Sequence, residues 1–170
     1  MLNRRTALFV CLGLAGCGFK PVYERDLDGA GAGAELAKIS IPEPRDRLSQ
    51  LVRNELLARL SVTRTDGSGV YRLDLTESRA SRAVVKAKSG LSQRQELQVT
   101  VSYKLVETSS GKILQSGSTF AVAPYDRVTS AQGVSSEFTN VQAEASAEER
   151  AAIVLAEDLR IRLAAFFAGR

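Results

Sequence analysis

The chain has 170 residues and a mass of 18.3 kDa, enough for one ordinary domain plus whatever its termini add, so a multidomain machine is excluded. Apolar residues make up 44% and charged residues 25%, which suffices for a core, while 6% aromatic residues and no Trp leave few rings to stack on bases. There is no His, and Cys11 and Cys17 are the only cysteines, so His-based triads, His-ligated zinc and haem are ruled out and no metal or cofactor is expected.

The first residues set the compartment. Arg4 and Arg5 precede the apolar run from Ala7 to Leu14, and the small residues Ala15 and Gly16 lead to Cys17. The run is too short to cross a bilayer core, which needs about 20 helical residues; a charged start, a short apolar middle and a small-residue exit are the parts of a cleavable export signal. Leu14-Ala15-Gly16-Cys17 resembles the lipobox of bacterial lipoproteins, which implies a signal peptide over 1–16, diacylglycerol on the Cys17 sulfur and acylation of its new amino group. Two or three chains hold a protein firmly, since each buried methylene contributes ~0.8 kcal/mol. Losing Arg4 and Arg5 from 23 basic residues set against 19 acidic ones leaves +2, which speaks against nucleic acid as a partner. The paired arginines are compatible with either the twin-arginine or the general export route.

Residues 17–36 carry Gly29, Gly31 and Gly33 among alanines and are expected to be a lipidated, flexible linker with a reach of ~25 Å. The glycines lack the preceding strand that a phosphate loop requires. The domain is expected over 37–170. Ala37 to Ile41 alternates into a short strand stopped by Pro42 and Pro44. Leu48, Leu51, Val52, Leu56, Leu57 and Leu60 recur at three and four residues, predicting an amphipathic helix over about 44–61. After a break at Thr65–Gly69, alternation from Tyr71 predicts a strand to about Lys88, with a turn at Ser89-Gly90. Leu97, Val99, Val101, Tyr103 and Leu105 form the clearest strand, and Thr108–Gly111 turns it into another running from Lys112 to about Val122, ending before Pro124. Residues 124–142 are polar and weakly patterned and read as loop. Ser146 and Glu149 form a capping box for a final helix with a stripe from Ala152 to Phe167. The pattern is strand, helix, three antiparallel strands, helix, which predicts an α+β two-layer sandwich: a four-stranded mixed sheet with both helices on one face.

Catalytic chemistry finds no support. Ser109 and Lys112 satisfy a serine-x-x-lysine spacing, yet sit in a hairpin tip rather than on a helix turn. Glu148, Glu149, Glu157 and Asp158 are expected on the solvent side of the last helix, with Asp158 paired to Arg162. What stands out is a run of cations on the first long hairpin, Arg79, Arg82, Lys86, Lys88 and Arg94, with no acid between Glu77 and Glu96. It reads either as a site for phosphate oxygens or as a charged strand surface that deters edge pairing.

Cys17-Gly18-Phe19-Lys20-Pro21-Val22-Tyr23, the short strand, the Leu-rich helix ending near Leu60, the hairpin strand Gln95-Glu96-Leu97-Gln98-Val99-Thr100-Val101 and the terminal Ala/Leu helix together resemble the LptE family of lipopolysaccharide-assembly lipoproteins. The resemblance implies a non-catalytic protein anchored on the periplasmic side of the outer membrane. It implies that the domain plugs and supports the LptD β-barrel, and that the pair inserts lipopolysaccharide into the outer leaflet. It also places lipopolysaccharide binding at the hairpin tip, on Lys86, Lys88 and Arg94. Gly18 replaces the acidic residue that retains some lipoproteins at the inner membrane. The alternative is an auxiliary lipoprotein of a phospholipid-transport complex.

Overall fold

The structure, a computed structural model, describes residues 31–60, 69–86, 92–128 and 133–169. In chain order these form α1 (Ala32–Leu36), β1 (Ile39–Ser40), α2 (Arg47–Leu60), β2 (Tyr71–Lys86), β3 (Ser92–Glu107), β4 (Ile113–Val128) and α3 (Gly133–Ala168). The strands lie in the order β1-β2-β3-β4, with β1 parallel to β2 and the two later pairings antiparallel. The α+β mixed sheet read from the periodicity is therefore the observed one.

One face of the sheet is dry because the period-two pattern puts Leu73, Leu97, Val99, Val101, Tyr103, Leu105, Ala121 and Ala123 on it. Against that face pack Leu48, Val52, Leu56 and Leu60 of α2, one helical turn apart, and the alanine-rich stripe of α3, in which Leu155, Leu159 and Leu163 are fully buried. The many alanines of α3 let its backbone approach closely. Tyr71 packs on Phe167 with ring centroids 5.1 Å apart, joining the base of β2 to the C-terminal end of α3. Across the layers, Asp158 of α3 accepts hydrogen bonds from Thr119 of β4 and from Arg162. Burial works to raise this carboxyl, and the two hydrogen bonds outweigh it, so it sits below its ordinary value.

Four expectations need correction. Ala32–Leu36, expected at the end of the linker, forms a single helical turn, because Leu36 finds a place in the core and Glu35 ties to the Tyr71 hydroxyl at 3.0 Å. The strand expected to stop before Pro124 runs to Val128, with Pro124 opposite Glu96. It continues because β4 is an edge strand: the Pro124 carbonyl points outward to accept from Arg150 at 2.7 Å, so the missing N–H is also lost on the open side. The loop expected over 124–142 is accordingly strand to Val128 and helix from Gly133, and the Ser146/Glu149 pair lies inside a helix of 36 residues instead of capping it. Polar composition misled there, since the helix is held by Asn140. This buried side chain accepts from the Val128 N–H at 2.8 Å and donates to the Val128 carbonyl at 3.0 Å, completing the ladder where no strand does. Finally, Glu148 is buried, not solvated, because α3 turns it toward β2, where Arg79 pairs with it.

The helix expected over about 44–61 and the turn expected at Thr108–Gly111 hold to within a few residues, whereas residues 65–68 of the expected break lie outside the described residues. Asp46 is the N-cap of α2: its carbonyl accepts the first intrahelical bond from Gln50 at 3.0 Å and its Oδ1 accepts from the Ser49 N–H at 2.9 Å. Gly111 adopts φ 68° in the β3–β4 turn, the left-handed state a glycine takes at least cost.

Candidate functional site

The β2–β3 hairpin carries the cations singled out in the sequence, and its register sorts them. Arg79 forms an ion pair with Glu148 of α3, and Arg82 donates from Nη2 to Glu96 Oε2 on the neighbouring strand at 2.8 Å. Both guanidinium groups are thus engaged with carboxylates of the fold. Closer to the tip, Lys86 stands opposite Gln93, while Arg94 stands opposite Val85 on one side and Asp126 on the other. Gln93 and Arg94 are consecutive, so the pleat sets the Lys86 and Arg94 positions on opposite faces of the sheet. The run of cations is therefore two structural pairs followed by positions divided between the faces. Lys88 and the turn at Ser89-Gly90 lie outside the described residues, as do Cys17 and the whole signal sequence.

A further cation belongs to this end of the sheet and was missed by sequence reasoning. Arg127, exposed on β4, stands opposite Gln93 and so shares a face with the Lys86 position. It fell in the stretch read as loop. Alternation of Thr119, Ala121, Ala123 and Tyr125 past the proline was the signal that would have found it. Among the described residues Arg94 and Arg127 carry no ion pair, and Asp126 is the nearest acid along either strand. Exposed guanidinium forks of this kind match phosphate oxygens, and in water they act by charge and geometry together. Asn140 fixes the end of β4 beside Arg127, which gives the tip a firm base.

Among the described residues no group of acidic or thiol side chains is arranged to hold a metal ion, and no helix is long and apolar enough to cross a membrane. The Ser109 and Lys112 positions lie in an exposed turn, where Ser110 Oγ instead accepts from the Lys112 N–H at 3.2 Å.

Comparison with known proteins adds what geometry cannot. No curated protein matches the sequence. Among solved structures, a putative lipoprotein from Caulobacter crescentus superposes with a TM-score of 0.66 at 23% identity, covering 82% of this chain and 97% of that one. A minor lipoprotein from Acinetobacter baumannii follows with a TM-score of 0.51 at 18% identity, covering 75% and 91%. At these identities the likeness is one of fold. The family model described as LptE, lipopolysaccharide-assembly, matches residues 36–163, a span that begins at the buried Leu36 and ends at Leu163 in the core of α3. Since that match covers most of the chain and takes in all four strands, α2 and most of α3, the chain belongs to the LptE family of lipopolysaccharide assembly.

Proposed function

We propose that this chain is a non-catalytic lipoprotein, anchored through acylated Cys17 on the periplasmic face of the outer membrane, that plugs and supports an LptD β-barrel. In this reading it helps deliver lipopolysaccharide to the barrel and insert it in the outer leaflet. The family match over residues 36–163 carries the assignment. The anchor keeps the domain at high effective concentration beside its partner, so docking is in effect intramolecular. The tip of the β2–β3 hairpin, through Lys86, Lys88 and Arg94, meets the phosphates of lipid A and competes with the divalent ions that hold lipopolysaccharide aggregates together.

The test uses the full acylated chain in detergent. Replacing Lys86, Lys88 and Arg94 by Ser should weaken lipopolysaccharide binding by about tenfold or more, because each charge-assisted contact contributes ~1.5–3 kcal/mol. Unchanged binding would reduce the tip to a charged strand surface. Pull-down through a C-terminal tag should recover a heat-modifiable barrel protein; recovery of an inner-membrane ATPase complex instead would favour the phospholipid-transport role.

A further inference from the structure

Both helices pack on one face of the sheet, and no described element covers the other, toward which the even-numbered residues of β3 and β4 point. That open face is polar along β3, where Gln98, Thr100 and Ser102 follow one another. β4 departs from this. Phe120 and Val122 are 63% and 46% exposed there, and Pro124, next on the same side, is exposed as well. A single exposed apolar side chain needs no explanation, whereas three in file along one strand form a track.

The track has two definite ends. Toward the base of the sheet it stops at Ser118, opposite Ser102, and toward the hairpin tip at the row of Asp126 and Arg94. Arg82, one row nearer the base, is held by Glu96, whereas no ion pair joins Arg94 to any described residue, Asp126 included. From Pro124 to Phe120 the track runs about 14 Å, at ~3.4 Å per strand residue. One lipid acyl chain occupies half of a hydrocarbon core ~30 Å thick, or about 15 Å. The track is also one residue wide, since Thr100 and Gln98 flank Phe120 and Val122 on β3 and β4 is the edge strand. A helix or a second sheet packs ~10 Å from its neighbour and needs an apolar face several residues across. A single hydrocarbon chain fits a single file.

A free guanidinium at one end and one chain length of apolar surface leading away from it make the outline of a phosphorylated acyl lipid. We propose that the track holds one acyl chain of lipopolysaccharide, laid along Pro124, Val122 and Phe120, while a phosphate of the same molecule meets Arg94. The inference rests on the phosphate-binding role proposed for the hairpin tip and adds a direction, with the chain pointing from the tip toward the base on the open face. The charge fixes the register of the lipid, and the apolar contact, which has no direction of its own, supplies attraction in proportion to the area covered.

The chain has no Trp, so Phe120→Trp places a lone indole on the track, and Ser116→Trp places one on the same face beyond its end. In the full acylated chain in detergent, lipopolysaccharide brominated on its acyl chains should quench the first about twofold or more above the second, because bromine acts in contact. Phe120→Ser combined with Val122→Ser should weaken binding of intact lipopolysaccharide about tenfold, and leave unchanged the binding of deacylated lipopolysaccharide, which keeps its phosphates. Replacing Lys86, Lys88 and Arg94 by Ser should weaken both. Equal quenching at the two positions, or unchanged affinity of the Phe120/Val122 variant for intact lipopolysaccharide, would overturn the proposal. So would equal quenching of the Phe120→Trp indole by brominated phosphatidylglycerol, which would make the track a general lipid contact. Loss of barrel recovery by the Phe120/Val122 variant with lipopolysaccharide affinity intact would assign the track to the barrel wall, and would overturn it too. In each of these cases the tip keeps its role if its triple variant still weakens deacylated lipopolysaccharide; if that variant binds normally, the tip reading fails and this inference falls with it.

Discussion

Glu148 and Arg79 provide the sharpest test of how the hairpin is used. The Glu148 side chain is only 7% exposed, whereas that of Arg79 is 59% exposed. An ion pair between exposed groups is worth ~0–1 kcal/mol, and breaking a fully buried one costs ~3–5 kcal/mol because a charge is stranded without water. This pair is half of each, so the two single substitutions should differ. Arg79→Ala leaves a carboxylate shut in beneath α3 and should cost about 1–3 kcal/mol, between those limits. Glu148→Gln leaves a guanidinium that already meets water, beside an amide of the same shape, and should cost under ~1 kcal/mol. Combining them should recover most of the Arg79→Ala loss, since no buried charge remains. Urea unfolding of the full chain in detergent, at constant m-value, reads all three, and each kcal/mol should move the thermal midpoint by ~2–4 °C in a chain of this size. Equal costs for the two single changes, or strictly additive costs in the double variant, would refute the reasoning. Because Arg79 is occupied within the fold, Arg79→Ala should also leave lipopolysaccharide affinity unchanged once folding is matched, in contrast to Arg94→Ser.

Other substitutions probe the remaining links. Leu155→Ala, at a fully buried position of α3, should cost ~2–5 kcal/mol by cavity formation in denaturant unfolding. Asn140→Ala should speed exchange of the Val128 amide and cost ~1–3 kcal/mol, because two hydrogen bonds are lost; unaltered exchange at Val128 would show that the amide clamp is dispensable. Gly69→Ala would place a Cβ 2.5 Å from the Lys38 carbonyl and 2.8 Å from the Ser40 nitrogen. Both are backbone atoms, so β1 must shift, and the Tyr71 amide should lose exchange protection. For Asp46, the Ser49 N–H holds the carboxyl below its ordinary value, so its contribution is present above the ordinary carboxylate range and disappears as pH falls through the lowered folded value. Asp46→Asn should therefore flatten that part of the acid unfolding curve, and Asp46→Ala should cost ~0.5–2 kcal/mol at neutral pH.

The alternation of Leu97 to Leu105 and the three-and-four spacing from Leu48 to Leu60 determined, without any structure, which residues face the core, because burial demands one dry side of each element. Whether Pro124 ended a strand, and whether 133–145 was helix, depended on contacts that local pattern does not hold. Those contacts are an outer edge with room for a missing N–H and the Asn140 amide that completes the ladder at Val128. The same limit applies to the site. A run of cations between Glu77 and Glu96 is visible in one dimension, but only register and layer packing could spend Arg79 on Glu148 and Arg82 on Glu96, divide the Lys86 and Arg94 positions between two faces, and bring Arg127 alongside. Charge is a property of composition; which charges are left for a partner is settled by distance in three dimensions.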